Sequence, residues 1–372
     1  MPADSVITTR DLRKSFPVRG AGRKQARGRV EAVRGVSINV ARGEIFGFLG
    51  PNGAGKTTTL RMLTTLLPIE AGTATVAGYD VARQPGQVRR SIGYVSQLGG
   101  SDELATGREN LILQGRLYGA SLAEVTPRAQ ELAALLDLAD FADRRVSTYS
   151  GGQRRRLDIA LGLVHHPSVL FLDEPTTGLD PQSRANLWDH IAALRDRGTT
   201  VFLTTHYLEE ADMLCDRLMI MDHGTIVAEG TPRSLKQQVA GDAIVISLRD
   251  GDQSAVNRES QRRGADGQQG DWPDGQPDGE RAAALLRSEP YVRELTASGG
   301  QVRLYADDGG TALPQLIRLL DSHGIGIRSI SMSEPTLDDV FLRQTGRSLR
   351  ESDPGAAGQA APSGADTKEV AA

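Results

Sequence analysis

The chain has 372 residues, 39% of them hydrophobic, enough for one large domain and a smaller one with packed cores. Its 43 basic and 47 acidic residues give a formal net charge of −4, without the basic excess of a dedicated nucleic-acid binder. The single cysteine, Cys215, excludes an intrachain disulfide or a cysteine-built metal cluster and fits a reducing compartment.

In chain order, residues 1–16 lack the apolar core of a signal peptide. Strand-like runs follow at VITTRDL, RVEAVRGVSINV and EIFGFLG. Between the first two lies the basic stretch 17–29, read either as a solvated loop or as a contact for anionic lipid or an acidic partner. A helix is expected after residue 56, a helical pattern over 106–137, and helices at 151–166 and 181–197. Strands are expected at SVLFLD, TTVFLTT, LMIMD and TIVAEG, with a short helix from Tyr207. Strands alternating with helices predict an α/β domain over residues 1–240 with a largely parallel sheet. Within it, about 98–165 forms a helical subdomain.

After strand AIVISL (243–248), residues 250–280 are crowded with Gly, Asp, Gln, Ser and Arg and are expected to be disordered. Strand VRLYA, helix LPQLIRLLDSHG, strand IGIRSISM and helix EPTLDDVFLRQTG then complete a small α+β domain over 241–346. The tail 347–372 is again expected to be disordered. No window approaches 18 uninterrupted apolar residues, so no direct membrane span is expected and any membrane role must come through a partner.

The strongest chemical signal is Gly50-Pro51-Asn52-Gly53-Ala54-Gly55-Lys56-Thr57, followed by Thr58. It follows an apolar strand and opens a helix, the setting of a phosphate-binding loop. Glycines let backbone N–H groups wrap phosphates, Lys56 reaches the β- and γ-phosphates, and the Thr57 hydroxyl serves Mg²⁺. A second signal is Asp173-Glu174 at the end of an apolar strand, where α/β sheets place ligands. Asp173 suits Mg²⁺, and Glu174 suits the attacking water. A third is Ser150-Gly151-Gly152-Gln153, a capped helix start with bare glycine amides, which is a second place for an anion. Adjacent His165 and His166 point to different faces and have no third ligand at useful spacing, so they are read as helix-end residues.

These motifs, with Gln97 in YVSQ, GLD at 178–180 and His206 in TTHY, resemble the ATP-binding subunits of ABC transporters over residues 5 to about 240. GYDVARQPGQVRRSIGYVSQ and EPTLDDVFLRQTG extend the resemblance to the daunorubicin-resistance type of drug-exporter ATPase. The resemblance implies an ABC ATPase fold with a helical subdomain, ATP and Mg²⁺ as cofactors, a homodimer, a separate transmembrane permease, and no nucleic-acid partner. It implies a location at the cytoplasmic face of the membrane, held there through the permease. In such a dimer Ser150, Gly151 and Gly152 of one chain face the γ-phosphate held by the other chain, and Asp180 reaches across the interface. Gln97 touches Mg²⁺ or the attacking water, and His206 binds the γ-phosphate and aligns Glu174. Phe16 either stacks on adenine or packs in the core. Tyr149 stands where many relatives carry Leu. The alternative of a soluble ABC-type ATPase acting on ribosomes or DNA would call for a second phosphate loop or a long coiled coil, and the sequence has neither.

Overall fold

The computed structural model describes residues 5–17, 28–239, 241–249, 278–298, 300–306, 308–333 and 335–346. Most of the basic stretch, most of 250–280 and the tail lie outside the described residues. Among the described residues, one compact unit runs to Leu235 and takes up the chain again from Phe341, and the other is Lys236–Val340.

The first unit is built on a six-stranded sheet. Its strands, with β1 to β3 reserved for a second sheet at Ser5–Pro17, Arg29–Val36 and Asn39–Ala41, are β4 (Ile45–Leu49), β7 (Ile92–Val95), β8 (Val169–Asp173), β9 (Thr200–Thr205), β10 (Arg217–Asp222) and β11 (Thr225–Gly230). The order is β11-β10-β4-β9-β8-β7, parallel except for the β10–β11 pair. Every residue of β4, β8 and β9 is buried, as expected of strands covered on both faces. Phe46, Phe48 and Phe171 surround Phe202 at 5.4–5.7 Å between ring centroids. Because β4, β7, β8 and β9 run the same way, the segments after all four emerge at one edge.

The second sheet was not legible in the strand pattern. It is antiparallel, ordered β2-β1-β5-β6, with β3 also on β1, where β5 is Ala71–Val76 and β6 is Tyr79–Asp80. The expected strand over 29–40 is two strands, β2 ending at Val36 and β3 starting at Asn39; within β2, Gly35 sits at φ 86° where the register with β1 shifts, a bulge that glycine accommodates.

Helices are α1 (Lys56–Leu63), α2 (Pro85–Ser91), α3 (Gly107–Leu117), α4 (Leu122–Leu135), α5 (Gly151–Leu163), α6 (Pro181–Asp196), α7 (Leu208–Leu214) and α8 (Pro232–Gln238). The helical pattern over 106–137 is broken in two: Gly119 turns left-handed at φ 93°, and Ser121 with Glu124 forms a capping box that starts α4. α5 stops at Leu163 rather than 166, since His166 is left-handed and Pro167 follows. His165 is half-buried, stacks on Tyr118 at 3.7 Å, and its Nε2 meets the Ile92 carbonyl at 2.8 Å, so it packs the helix end against β7.

The second unit is a four-stranded antiparallel sheet, β13-β14-β12-β15, formed by β12 (Asp242–Leu248), β13 (Val292–Ser298), β14 (Gln301–Ala306) and β15 (Ile327–Ser333). Its helices are α9 (Asp278–Arg287) and α10 (Gly309–Ser322), with α11 (Leu337–Thr345) beginning at its end. Ile244, Ile246 and Leu248 alternate inward with Val302, Leu304 and Ala306 and meet Leu286, Leu316 and Leu320 of the helices. On the other face Arg303 and the Tyr305 hydroxyl donate to Asp339, which also accepts from the Thr336 N–H and hydroxyl, anchoring the start of α11. Residues 278–280, expected to be disordered, instead open α9. Among the described residues no helix is long and apolar enough to cross a membrane.

Candidate nucleotide site

Strand β4 ends at Leu49, and the chain turns through residues 50–55 into α1. Gly55 precedes that helix at φ 108° and provides no side-chain cap, so the start of α1 is the kind of helix N-terminus that suits an anion. A Cβ at Gly55 would strike the Ala32 carbonyl, and one at Gly50 the Met221 carbonyl. The close course of this loop therefore depends on glycine. Lys56 is buried, and its Nζ donates to the carbonyls of Gly50 (2.7 Å) and Pro51 (3.2 Å). Phe16, Asn52, Gly53, Ala54, Gly55, Lys56, Thr57, Thr58, Ala32 and Glu174 line a cavity of about 300 Å³. The β1–β2 pairing thus brings Phe16 to the loop's side, where the residue is 38% exposed and not packed in the core.

The carboxylates arrive from β8. Asp173 Oδ1 accepts from the Thr57 hydroxyl at 3.0 Å and from the Thr204 hydroxyl at 2.7 Å. Glu174 adopts φ 48°, a left-handed conformation costly for a side-chain-bearing residue, and is held there by its N–H to Thr204. Its Oε1 lies 3.6 Å from Lys56 Nζ. Its Oε2 accepts from Thr177 (3.3 Å) and Gln97 (3.4 Å). His206 Nδ1 lies 3.3 Å from the same oxygen, near enough for ion pairing, yet it is buried without an aligned hydrogen bond. Burial pushes the Glu174 carboxyl up, but His206, Lys56 and Thr177 outweigh it and hold it below its ordinary value. The group is therefore an ionised base at neutral pH, touching three of the residues singled out by sequence.

Ser150, Gly151, Gly152 and Gln153 stand apart from this cavity. Ser150 Oγ accepts from the Gln153 N–H, and Gln153 Oε1 accepts from the Ser150 N–H, a complete capping box on exposed ground. Asp180 is also exposed and caps α6 through the Ser183 N–H at 2.9 Å. Tyr149 is buried and its hydroxyl donates to the Phe141 carbonyl.

Three supporting residues were missed. Arg155 is buried and donates to the carbonyls of Ser96 (2.6 Å), Pro175 (2.7 Å), Asp173 (3.1 Å) and Glu174 (3.1 Å). Asp158, one turn on, accepts from the N–H groups of Gly100 and Ser101, so α5 grips both ends of the loop that carries Gln97. Glu210 is wholly buried behind the site and accepts from Trp188 at 3.2 Å. Burial raises its carboxyl above the ordinary value. The run Arg154-Arg155-Arg156-Leu157-Asp158 carried the first two signals without saying which face would be buried.

A family model described as ABC transporter matches residues 33–177, and one described as ATP-binding protein DrrA1-3-like, C-terminal domain matches 277–345. A daunorubicin resistance ATP-binding protein of Streptomyces coeruleorubidus is 42% identical over 331 residues, covering 89% of this chain and 95% of its own. The chain belongs to the ABC transporter ATP-binding proteins. A linearmycin resistance ATP-binding protein of Bacillus subtilis is 34% identical, covering 88% of this chain and 98% of its own. Among solved structures, a dimeric ATP-binding cassette in a post-hydrolysis state with ADP and Pi aligns at TM-score 0.54 and 25% identity, over 60% of this chain and 98% of its own. As a member of its family, this ABC ATPase binds ATP and couples its hydrolysis to transport.

Proposed function

We propose that this ABC ATPase is the energy-coupling subunit of an exporter, driving efflux of a hydrophobic drug, antibiotic or lipid through a separate permease from the cytoplasmic face of the membrane. Residues 1–240 are its nucleotide-binding domain, with the helical subdomain at about 98–165, and 241–346 its accessory domain. Resistance-type relatives that match both parts of the chain support this reading over action on ribosomes or DNA.

The observation that carries the mechanism is a phosphate site built on one side only. The P-loop, Lys56 and Glu174 line the cavity, while the helix N-terminus at Ser150–Gly152 lies on none of its walls. A γ-phosphate needs donors on its outer face too. A second copy, docked head to tail, supplies them. Phe16 stacks on adenine, and the α1 N–H groups with Lys56 hold the phosphates. The oxygens of Thr57 and Asp173, 3.0 Å apart, are the hard donors that Mg²⁺ prefers, and Gln97, which donates to Glu174 at 3.4 Å, would join them. When bound, that ion neutralises charge on the β- and γ-phosphates. Ionised Glu174 takes the proton of a water as its oxygen bonds to the γ-phosphorus and the bond to ADP breaks. His206 and Gln97 keep the carboxylate in line.

The test mixes two variants. Ser150→Arg blocks the donated helix start, and Lys56→Ala disables the loop. If the helix start acts in trans, a mixed dimer has one intact site and one doubly damaged site. It therefore traps nucleotide at one site, while neither homodimer does. No trapping in mixed dimers shown to form would overturn the reading.

A further inference from the structure

A second cavity, about 280 Å³, opens at the opposite edge of the central sheet. Its walls come from the segments that enter β4, β8 and β9: Arg42, His166 with Ser168, and Arg197 with Thr199, closed over by Arg128 of α4. The nucleotide cavity lies where these same strands end, a strand length of about 17 Å away. Three arginines from three separate segments thus line one small polar space.

Their charge is poorly compensated. Arg128 donates to Glu131 (2.8 Å) and to the Leu163 carbonyl at the end of α5 (2.9 Å). The side chains of Arg42 and Arg197 make no hydrogen bond or close ion pair among the described residues. Glu131 is held below its ordinary value chiefly by its bond to Arg128, with the charges of His166 and Arg197 adding to the effect. A helix-end explanation, cations settling against the C-termini of α5 and α6, accounts for Arg128 and for Arg197, the residue that caps α6, but not for Arg42. Arg42, on the turn between β3 and β4, belongs to no helix end. Like charges drawn together repel unless an anion joins them, and guanidinium forks beside the Ser168 and Thr199 hydroxyls suit phosphate oxygens.

We propose that this cavity is a second anion site, which takes a multiply charged phosphate group between Arg42, Arg197 and Arg128. Occupancy ties α4 of the helical layer to the turns that feed the central sheet. The phosphate comes either from a free phosphoanion or from a lipid headgroup, and the chemistry of capture is the same.

The full chain, loaded with ADP at its nucleotide cavity and then desalted to remove free nucleotide, is titrated with sodium pyrophosphate in a calorimeter and sedimented with phosphatidylglycerol vesicles. One saturable pyrophosphate per chain is expected. Its affinity should fall about tenfold or more in each of Arg42→Gln and Arg197→Gln, with ADP affinity unchanged as the control for folding. Pyrophosphate binding without vesicle binding identifies a free phosphoanion. Vesicle binding that needs both arginines, and that pyrophosphate displaces, identifies a headgroup. No binding of either probe, binding undiminished in both variants, or vesicle binding that pyrophosphate cannot displace overturns the proposal.

Discussion

Arg155 offers the sharpest test of how the site is held together. Its guanidinium makes four hydrogen bonds, all to backbone carbonyls, and two of those carbonyls belong to Asp173 and Glu174. A bond to a charged donor is worth about 1.5–3 kcal/mol, so four would sum to roughly 6–12 kcal/mol if they were independent. They share one group, and burying that guanidinium costs several kcal/mol in return. Arg155→Met should therefore cost about 3–5 kcal/mol, the loss typical of a buried charge network with one partner removed. Arg155→Lys keeps the charge but loses the fork, and about 2 kcal/mol is expected. Urea unfolding in a Trp272→Phe background leaves Trp188, on α6 of the same unit, as the only tryptophan reporter. Turnover should fall with stability, because the left-handed Glu174 loses the anchor on its carbonyl. KM for ATP should move little, since Arg155 bonds no atom of the P-loop. An Arg155→Met variant that loses under about 1 kcal/mol and keeps wild-type kcat would refute this account.

Glu174→Gln should lower turnover at least about a hundredfold while ATP affinity holds or rises, because the carboxylate 3.6 Å from Lys56 no longer competes for it; calorimetry and steady-state kinetics check both. Glu210, raised by burial, bears on pH: its protonated form is favoured by folding, so its contribution is full below the unfolded value of about 4.3 and is lost as pH rises through the folded one. The stability of the wild type relative to Glu210→Gln should accordingly decline with rising pH in urea titrations, and a flat difference would contradict the assignment. Removing residues 251–277 should leave nucleotide binding and the unfolding of both units intact, whereas a deletion reaching 280 cuts the first turn of α9 and should destabilise the second unit.

The sequence was most informative where local chemistry decides the outcome. The glycines of the P-loop, the Ser150 cap with Gln153 three residues on, and the carboxylates closing an apolar strand each act within a few residues, so their types and spacing determine the backbone they adopt. Even the division of 106–137 was written there, in Gly119 and the Ser121–Glu124 pair, although the leucine periodicity running through it masked the break. The three consecutive arginines show where such reading stops. A helix turns each residue about 100° from the last, so Arg154 meets Glu103, Arg155 enters the core and Arg156 faces Asn186 and Asp137. Which of them is buried depends on strands and loops far along the chain. The same holds for Phe16, which reaches the P-loop only because β1 pairs with β2, and for Arg42, Arg128 and Arg197, which become neighbours only when three strands align. Spacing along the chain determines helices, turns and caps; parallel pairing across the sheet decided which distant charges share a cavity, because burial and backbone hydrogen bonding are satisfied by the whole fold at once.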